Sequence, residues 1–103
     1  MQEYKIVCIE GELKGAEIIL GAHDCITIGR DPATANLVFR DITISRKHCV
    51  IETKGTDKYF VTAFSSCGIV TGAGSELKKG GETEVPRGTI LQIGKSGTEI
   101  RLE

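Results

Sequence analysis

No apolar run in this sequence is long enough for an amphipathic helix, and nearly every one is closed by glycine or another turn residue. The runs are Tyr4 to Ile9, Glu17 to Leu20, Ile26 to Ile28, Leu37 to Phe39, Cys49 to Glu52, Tyr59 to Phe64, Ile69 to Thr71, Thr89 to Ile93 and Thr98 to Glu103. They are rich in β-branched residues. The last alternates, with Ile100 and Leu102 on one face and Glu99, Arg101 and Glu103 on the other. Period-two alternation between closely spaced turn signals describes strands, not helices. The one helical candidate, Pro32 to Ala35, is a single turn. About ten or eleven short strands at this spacing predict an all-β fold, an antiparallel sandwich. Val85 to Gly88 is expected as a turn, Cys49 to Phe64 as a hairpin, and Leu77 as the one apolar anchor in the polar stretch from Gly72 to Gly81.

The chain has 103 residues, the size of one small domain, and contains no linker-like segment or internal repeat. A single domain over 1–103 is therefore expected, whether alone or as a piece of a longer protein. Thirteen basic and 14 acidic residues leave a net charge of -1, which argues against a nucleic-acid binder working through a broad basic face. No apolar run approaches the ~20 residues of a membrane helix, and the N-terminus lacks the pattern of a secretory signal. A cytoplasmic chain with no membrane insertion is expected. Cys8, Cys25, Cys49 and Cys67 form no C-x-x-C pair, so neither zinc spacing nor a disulfide framework is indicated. Cys8 and Cys49 lie inside apolar runs and read as small buried hydrophobes. No metal and no cofactor are expected.

The chemistry is concentrated between Ile28 and His48. Gly29-Arg30 closes one apolar run, and Ser45-Arg46-Lys47-His48 opens another. Two loops at one end of a sheet would thus carry an arginine, a hydroxyl and a second basic group toward a common point, which is equipment for holding a phosphate. A phosphate monoester carries about −1.5 to −2 charge and three acceptor oxygens. Arginine meets it with a rigid fork of donors, and Gly29 leaves room for the chain to turn. Taken alone, each pair reads equally as a surface arginine or a polar turn. His48 has no nucleophile beside it to activate, and reads as a structural histidine bonding loop backbone. His23 lies in a turn and is expected at the surface. Ser66 and Gly68 lie in a third loop, where Ser66 offers either another hydroxyl or an ordinary turn.

Taken together, Gly29-Arg30, Ser45-Arg46-Lys47-His48 and Ser65-Ser66-Cys67-Gly68 resemble the forkhead-associated (FHA) domain in order and spacing. The resemblance spans essentially the whole chain. Gly11, Gly15 and Asp31-Pro32 are similar to bacterial members. It implies a β-sandwich of about eleven strands that binds phosphothreonine peptides through loops at one end. It further implies that Arg30 holds the phosphate, Ser45 donates its hydroxyl to it, Arg46 adds a contact and Ser66 reaches the phosphothreonine. Gly29, His48 and Gly68 shape the loops. Thr43 falls where the family reads a residue beyond the phosphothreonine, and a threonine there demands no acidic partner. Cys67 departs from the family, which usually has Asn at this position bonding the peptide backbone, and Ile69 stands where Thr is common. A thiol is a weak donor and acceptor, so binding is expected to be weaker or less sequence-selective. The implied partner is a phosphothreonine-containing substrate of a Ser/Thr kinase, and the chain is expected to be no enzyme. The competing expectation is a scaffold that binds an unmodified partner or self-associates, its phosphate pocket vestigial.

Overall fold

The computed structural model describes residues 3–64, 69–71, 74 and 76–103. Among these residues there are eleven strands and no helix: β1 (Tyr4–Glu10), β2 (Glu17–Leu20), β3 (Cys25–Gly29), β4 (Leu37–Val38), β5 (Cys49–Thr53), β6 (Lys58–Ala63), β7 (Ile69–Thr71), β8 (Glu76–Leu77), β9 (Glu82–Pro86), β10 (Thr89–Ile93) and β11 (Thr98–Leu102). They form two sheets, one of six strands in the order β2-β1-β11-β10-β7-β8 and one of five in the order β4-β3-β5-β6-β9.

Alternation decides which side chains face inward. Tyr4, Ile6 and Cys8 on β1, Ile26 and Ile28 on β3, and Cys49 and Ile51 on β5 are buried, as are Tyr59, Val61 and Ala63 on β6 and Ile100 and Leu102 on β11. They meet in one core between the sheets. Each large aliphatic side chain fully buried there contributes about 1.5–3 kcal/mol relative to exposure. Cys8 and Cys49 are core residues as expected, and burial pushes the Cys49 thiol up to about 12. The buried Thr53 hydroxyl is satisfied, donating to the Gly21 carbonyl at 2.7 Å and accepting from the Asp24 amide at 2.8 Å.

The antiparallel sandwich is as expected with one local exception, and one expected turn needs correction. The sandwich is antiparallel except at one edge, where β4 runs parallel to β3 with Ile28 opposite Leu37 and Gly29 opposite Val38. The turn expected over Val85 to Gly88 is shorter. Val85 and Pro86 complete β9, and the chain reverses at Arg87 and Gly88, where Gly88 has φ 87°. Proline is tolerated because β9 is the edge strand of its sheet, so the missing N–H breaks no interior ladder.

The two sheets are joined by aromatic packing at the pole where β1 begins and β11 ends. The rings of Tyr4 and Tyr59 meet edge to face at 5.6 Å. The Arg87 guanidinium lies 4.3 Å over Tyr4 and donates to the carbonyls of Glu3 and Glu103 and to Asp57. The opposite pole carries the loops.

Replacing fully buried Ile100 by alanine should cost about 2–5 kcal/mol, whereas Ile19→Ala, at a side chain 66% exposed, should stay within about 0.5 kcal/mol. Urea unfolding of the two variants checks the assignment of inner and outer faces.

Candidate functional site

The register of β3 against β5 brings the two sequence motifs together. Ile28 pairs with Cys49, so the chain leaving β3 at Gly29 and the chain entering β5 at His48 emerge side by side. The His48 amide extends the ladder by donating to the Ile28 carbonyl at 2.8 Å. Beyond it the two backbones touch. A Cβ on Gly29 would stand 1.9 Å from the Arg46 carbonyl oxygen and 2.7 Å from its carbon. Only glycine fits. The same oxygen accepts from the amides of Arg30 at 3.1 Å and Asp31 at 3.2 Å, and the Ser45 carbonyl also accepts from Arg30 at 3.0 Å.

Fully buried His48 holds the far side of this contact. Its Nδ1 accepts from the Ser45 amide at 3.0 Å, which places the ring proton on Nε2. The histidine thus fixes the backbone just before Arg46.

Arg30 is exposed, but its side chain is aimed. Nε donates to the Ile44 carbonyl at 3.1 Å, which leaves the terminal amino groups for a ligand. Arg30 and Arg46 line an open cavity of about 290 Å³ together with Asp31 and Pro32. The Asp31 carboxylate is turned into its own loop, where Oδ1 accepts from the Ala33 amide at 3.0 Å. Two guanidinium groups facing one cavity balance the charge of a phosphate monoester, and the fork of Arg30 matches its oxygens.

Thr43 is tied into the loop that carries it. Its hydroxyl donates to Asp41 Oδ1 at 2.8 Å and accepts from the Lys95 amide at 2.9 Å. Asp41 Oδ1 also accepts from the Thr43 amide at 2.9 Å and the Ser96 hydroxyl at 3.1 Å. The Thr43 side chain therefore ties its loop to the turn between β10 and β11. Gly94, with φ 72°, is required there, because a Cβ would come within 2.8 Å of both Thr43 Oγ1 and Ile44 Cγ1. On the other flank Glu12 Oε1 accepts from the amides of Arg40 and Asp41 at 2.8 and 3.0 Å. Bonding from the Thr43 amide holds the Asp41 carboxyl below its ordinary value of 3.8. The other Asp41 oxygen, Oδ2, is buried without a hydrogen bond, so the clamp runs through one atom.

The sequence reading missed Glu12, Asp41 and Ser96. Asp41-x-Thr43 carries the signature of an Asx turn and was readable in principle. Glu12 and Ser96 act on the loop from distant positions and leave no local signal. Ser66, Cys67 and Gly68 lie outside the described residues. Next to them Phe64 is held by its amide, which donates to the His48 carbonyl at 2.9 Å, and by Lys47 Nζ, 4.3 Å over its ring. His23 is exposed and packs against Gly55, away from the site.

The family model of the FHA domain matches residues 26–94, more than half of the sequence, including Gly29, Arg30, Ser45, Arg46 and His48. The chain belongs to the FHA-domain family. None of the curated proteins matches it. Among solved structures it is similar to the FHA domain of the CT664 protein from Chlamydia trachomatis, with 22% identity over 98% of this chain and 96% of that one and a TM-score of 0.84. It is also similar to the FHA domain of an Arabidopsis thaliana hypothetical protein, with 20% identity over 98% and 84% of the two chains and a TM-score of 0.86. The N-terminal FHA domain of S. cerevisiae Rad53p, determined in complex with a phosphothreonine peptide, shares 17% identity over 96% and 90%, with a TM-score of 0.76. At these identities the likeness is one of fold.

Gly29→Ala should force the two loop backbones apart. The expected cost is about 1–3 kcal/mol, as for other overpacked sites. Amide resonances of Arg30, Asp31 and Arg46 should shift while those of β11 stay in place, a pattern that NMR of the variant checks.

Because the folded-state value of Asp41 is depressed, its clamp contributes stability above the ordinary aspartate range and loses it as pH falls through the lowered value. Asp41→Asn should therefore lower stability near neutral pH and flatten the acid limb of the stability profile. Urea midpoints measured from about pH 7 down to about pH 2 test the sign.

Proposed function

We propose that this chain is a phosphothreonine-peptide-binding module that recognises substrates of a Ser/Thr kinase in the cytoplasm, through the loops at the pole bearing Arg30. The observation that carries this reading is the aimed guanidinium of Arg30, fixed by the Ile44 carbonyl and paired with Arg46 across one open cavity. Arg30 would grip the phosphate oxygens with its fork, and Arg46 would supply the second positive charge. Ser45, beside Arg30, would donate its hydroxyl. Gly29 and His48 would hold these groups in place rather than touch ligand. By the family resemblance Ser66 would reach the phosphothreonine and Cys67 would make the weaker contact of a thiol, with Gly68 shaping their loop. The phosphothreonine peptide on the structurally similar Rad53p domain supports the reading. Binding of this kind needs no nucleophile, metal or cofactor; the module would work by recruitment.

The test is titration of the purified chain with one peptide in phosphothreonine, phosphoserine and unmodified forms. Binding is expected to the phosphothreonine form. Arg30→Ala should weaken it by at least about thirtyfold, because an anion loses its paired charge. Ser45→Ala should weaken it by about tenfold. Near-native affinity in Arg30→Ala would place the anion site elsewhere.

A further inference from the structure

The hydrophobic core thins out beside β2. Among the described residues Leu13, Ala16 and Ile18 pack on the core while staying partly exposed, and all of them belong to the β1–β2 hairpin. On the other face of the same strand Ile19 is 66% exposed. β2 is also the outermost strand of its sheet. Edge strands are ordinarily blunted by charge, by proline or by shortness, because their free backbone groups invite another strand. The other edges here are blunted. β9 carries Glu82 and Glu84, ion-paired with Lys54 and Lys58, and ends on Pro86, while β4 and β8 have only two residues each. β2 has four residues, Glu17-Ile18-Ile19-Leu20, with no proline and a single charge.

The ladder fixes what this edge presents. The Lys5 amide donates to the Glu103 carbonyl at 3.2 Å, and the Glu103 amide donates to the Lys5 carbonyl at 2.8 Å, so the backbone of Lys5 faces away from β2. Bonded and non-bonded pairs alternate along an antiparallel ladder. Ile19, opposite Lys5, therefore turns its N–H and C=O to the open edge, and Glu17, opposite Val7, does the same.

A second β2, run antiparallel, meets these groups at one register. With Glu17 opposite Ile19 of the second copy, both symmetry-related pairs exchange their backbone bonds. On the inner face Ile18 then meets Ile18 and Ala16 meets Leu20, so the thin side of one core closes on the thin side of the other. The neighbouring registers fail. Glu17 opposite Glu17 sets like charges together. Ile19 opposite Ile19 brings Glu17 to Gly21, whose amide donates to Asp24 and whose carbonyl accepts from the Thr53 hydroxyl.

We propose that this chain pairs with a second copy of itself through β2, as a two-fold dimer whose six-stranded sheet continues across an axis at Ile18. The same patch serves on both copies, which is what a two-fold interface requires. The paired strands run in opposite directions, so the loop poles lie at opposite ends of the dimer and both Arg30 cavities stay open. The dimer does not depend on the phosphothreonine reading; joined with it, the pair becomes a two-headed module that gains avidity for partners phosphorylated more than once.

Sedimentation equilibrium of the 103-residue chain from about 10 μM to about 1 mM should show the mean mass rising from one copy toward two. Over the same range the amides of Glu17 and Ile19 should gain protection from hydrogen exchange. Ile19→Glu places a carboxylate opposite Glu17 on both sides of the axis and should weaken the dimer by at least about tenfold. Glu17→Lys combined with Ile19→Glu sets opposite charges at the same register and should restore it. Both positions are exposed, and unchanged urea midpoints at the lowest concentration verify that the variants fold. A chain that stays monomeric throughout, a dimer that Ile19→Glu leaves intact, or a double variant no tighter than the single one would each overturn the β2 interface.

Discussion

Gly29 approaches the backbone of Arg46 more closely than any residue with a side chain could, and the loop pole is built on that contact. The Arg46 carbonyl sits where a Cβ would be. From there it receives two amides of the opposing loop. A glycine in a strand costs about 0.5–1 kcal/mol in chain entropy, and the amides it brings into register offset that cost. Arg30 can reach the Ile44 carbonyl only because the two loops are already fixed side by side, and His48 keeps the second loop from relaxing away. The electrostatics of the cavity thus depend on a steric fact about one residue without a charge.

The molecule separates stability from recognition along its length. At one pole Tyr4, Tyr59 and Arg87 close the sandwich with aromatic packing and bonds to the terminal backbone. At the other, polar clamps fix loops that are also anchored in the core by fully buried Phe39 and Ile44. Asp41, Thr43 and Ser96 form a small, partly exposed polar network that fixes the position of the loop. Such networks give a defined geometry more than net free energy. The Arg30 guanidinium is therefore held in place through the Ile44 carbonyl before a ligand arrives, and a group fixed in advance loses less binding energy in being ordered.

Alternation made most of the fold legible. β2, β7 and β10 keep the bounds the sequence suggests, because each is an apolar run between turn residues. β9 was hidden by Pro86, whose local preference for turns is overridden by its place on a sheet edge. The parallel pairing of β4 was not readable, since two residues cannot encode a direction. In the site, Arg30, Ser45 and Arg46 were legible as residue types that suit a phosphate, and the register of β3 on β5 supplies the proximity that spacing alone leaves open. The fate of the Thr43 hydroxyl was not legible. Its partners Lys95 and Ser96 are more than fifty positions away, and a free hydroxyl and a committed one have the same sequence.

β11 lies between β1 and β10 in the six-stranded sheet, so the N-terminal strand finds its inner partner in a strand about ninety residues further along the chain. Before that segment exists, β1 has only β2, and β10 has only the short strands beyond it. During synthesis, then, the sheet cannot close progressively behind the ribosome; β1 must wait for β11, which first has its local partner in β10. Topologies of this kind fold more slowly than local ones, because the loop between the paired strands must be closed before their contacts repay it. Until then, β1 carries an unpaired apolar edge.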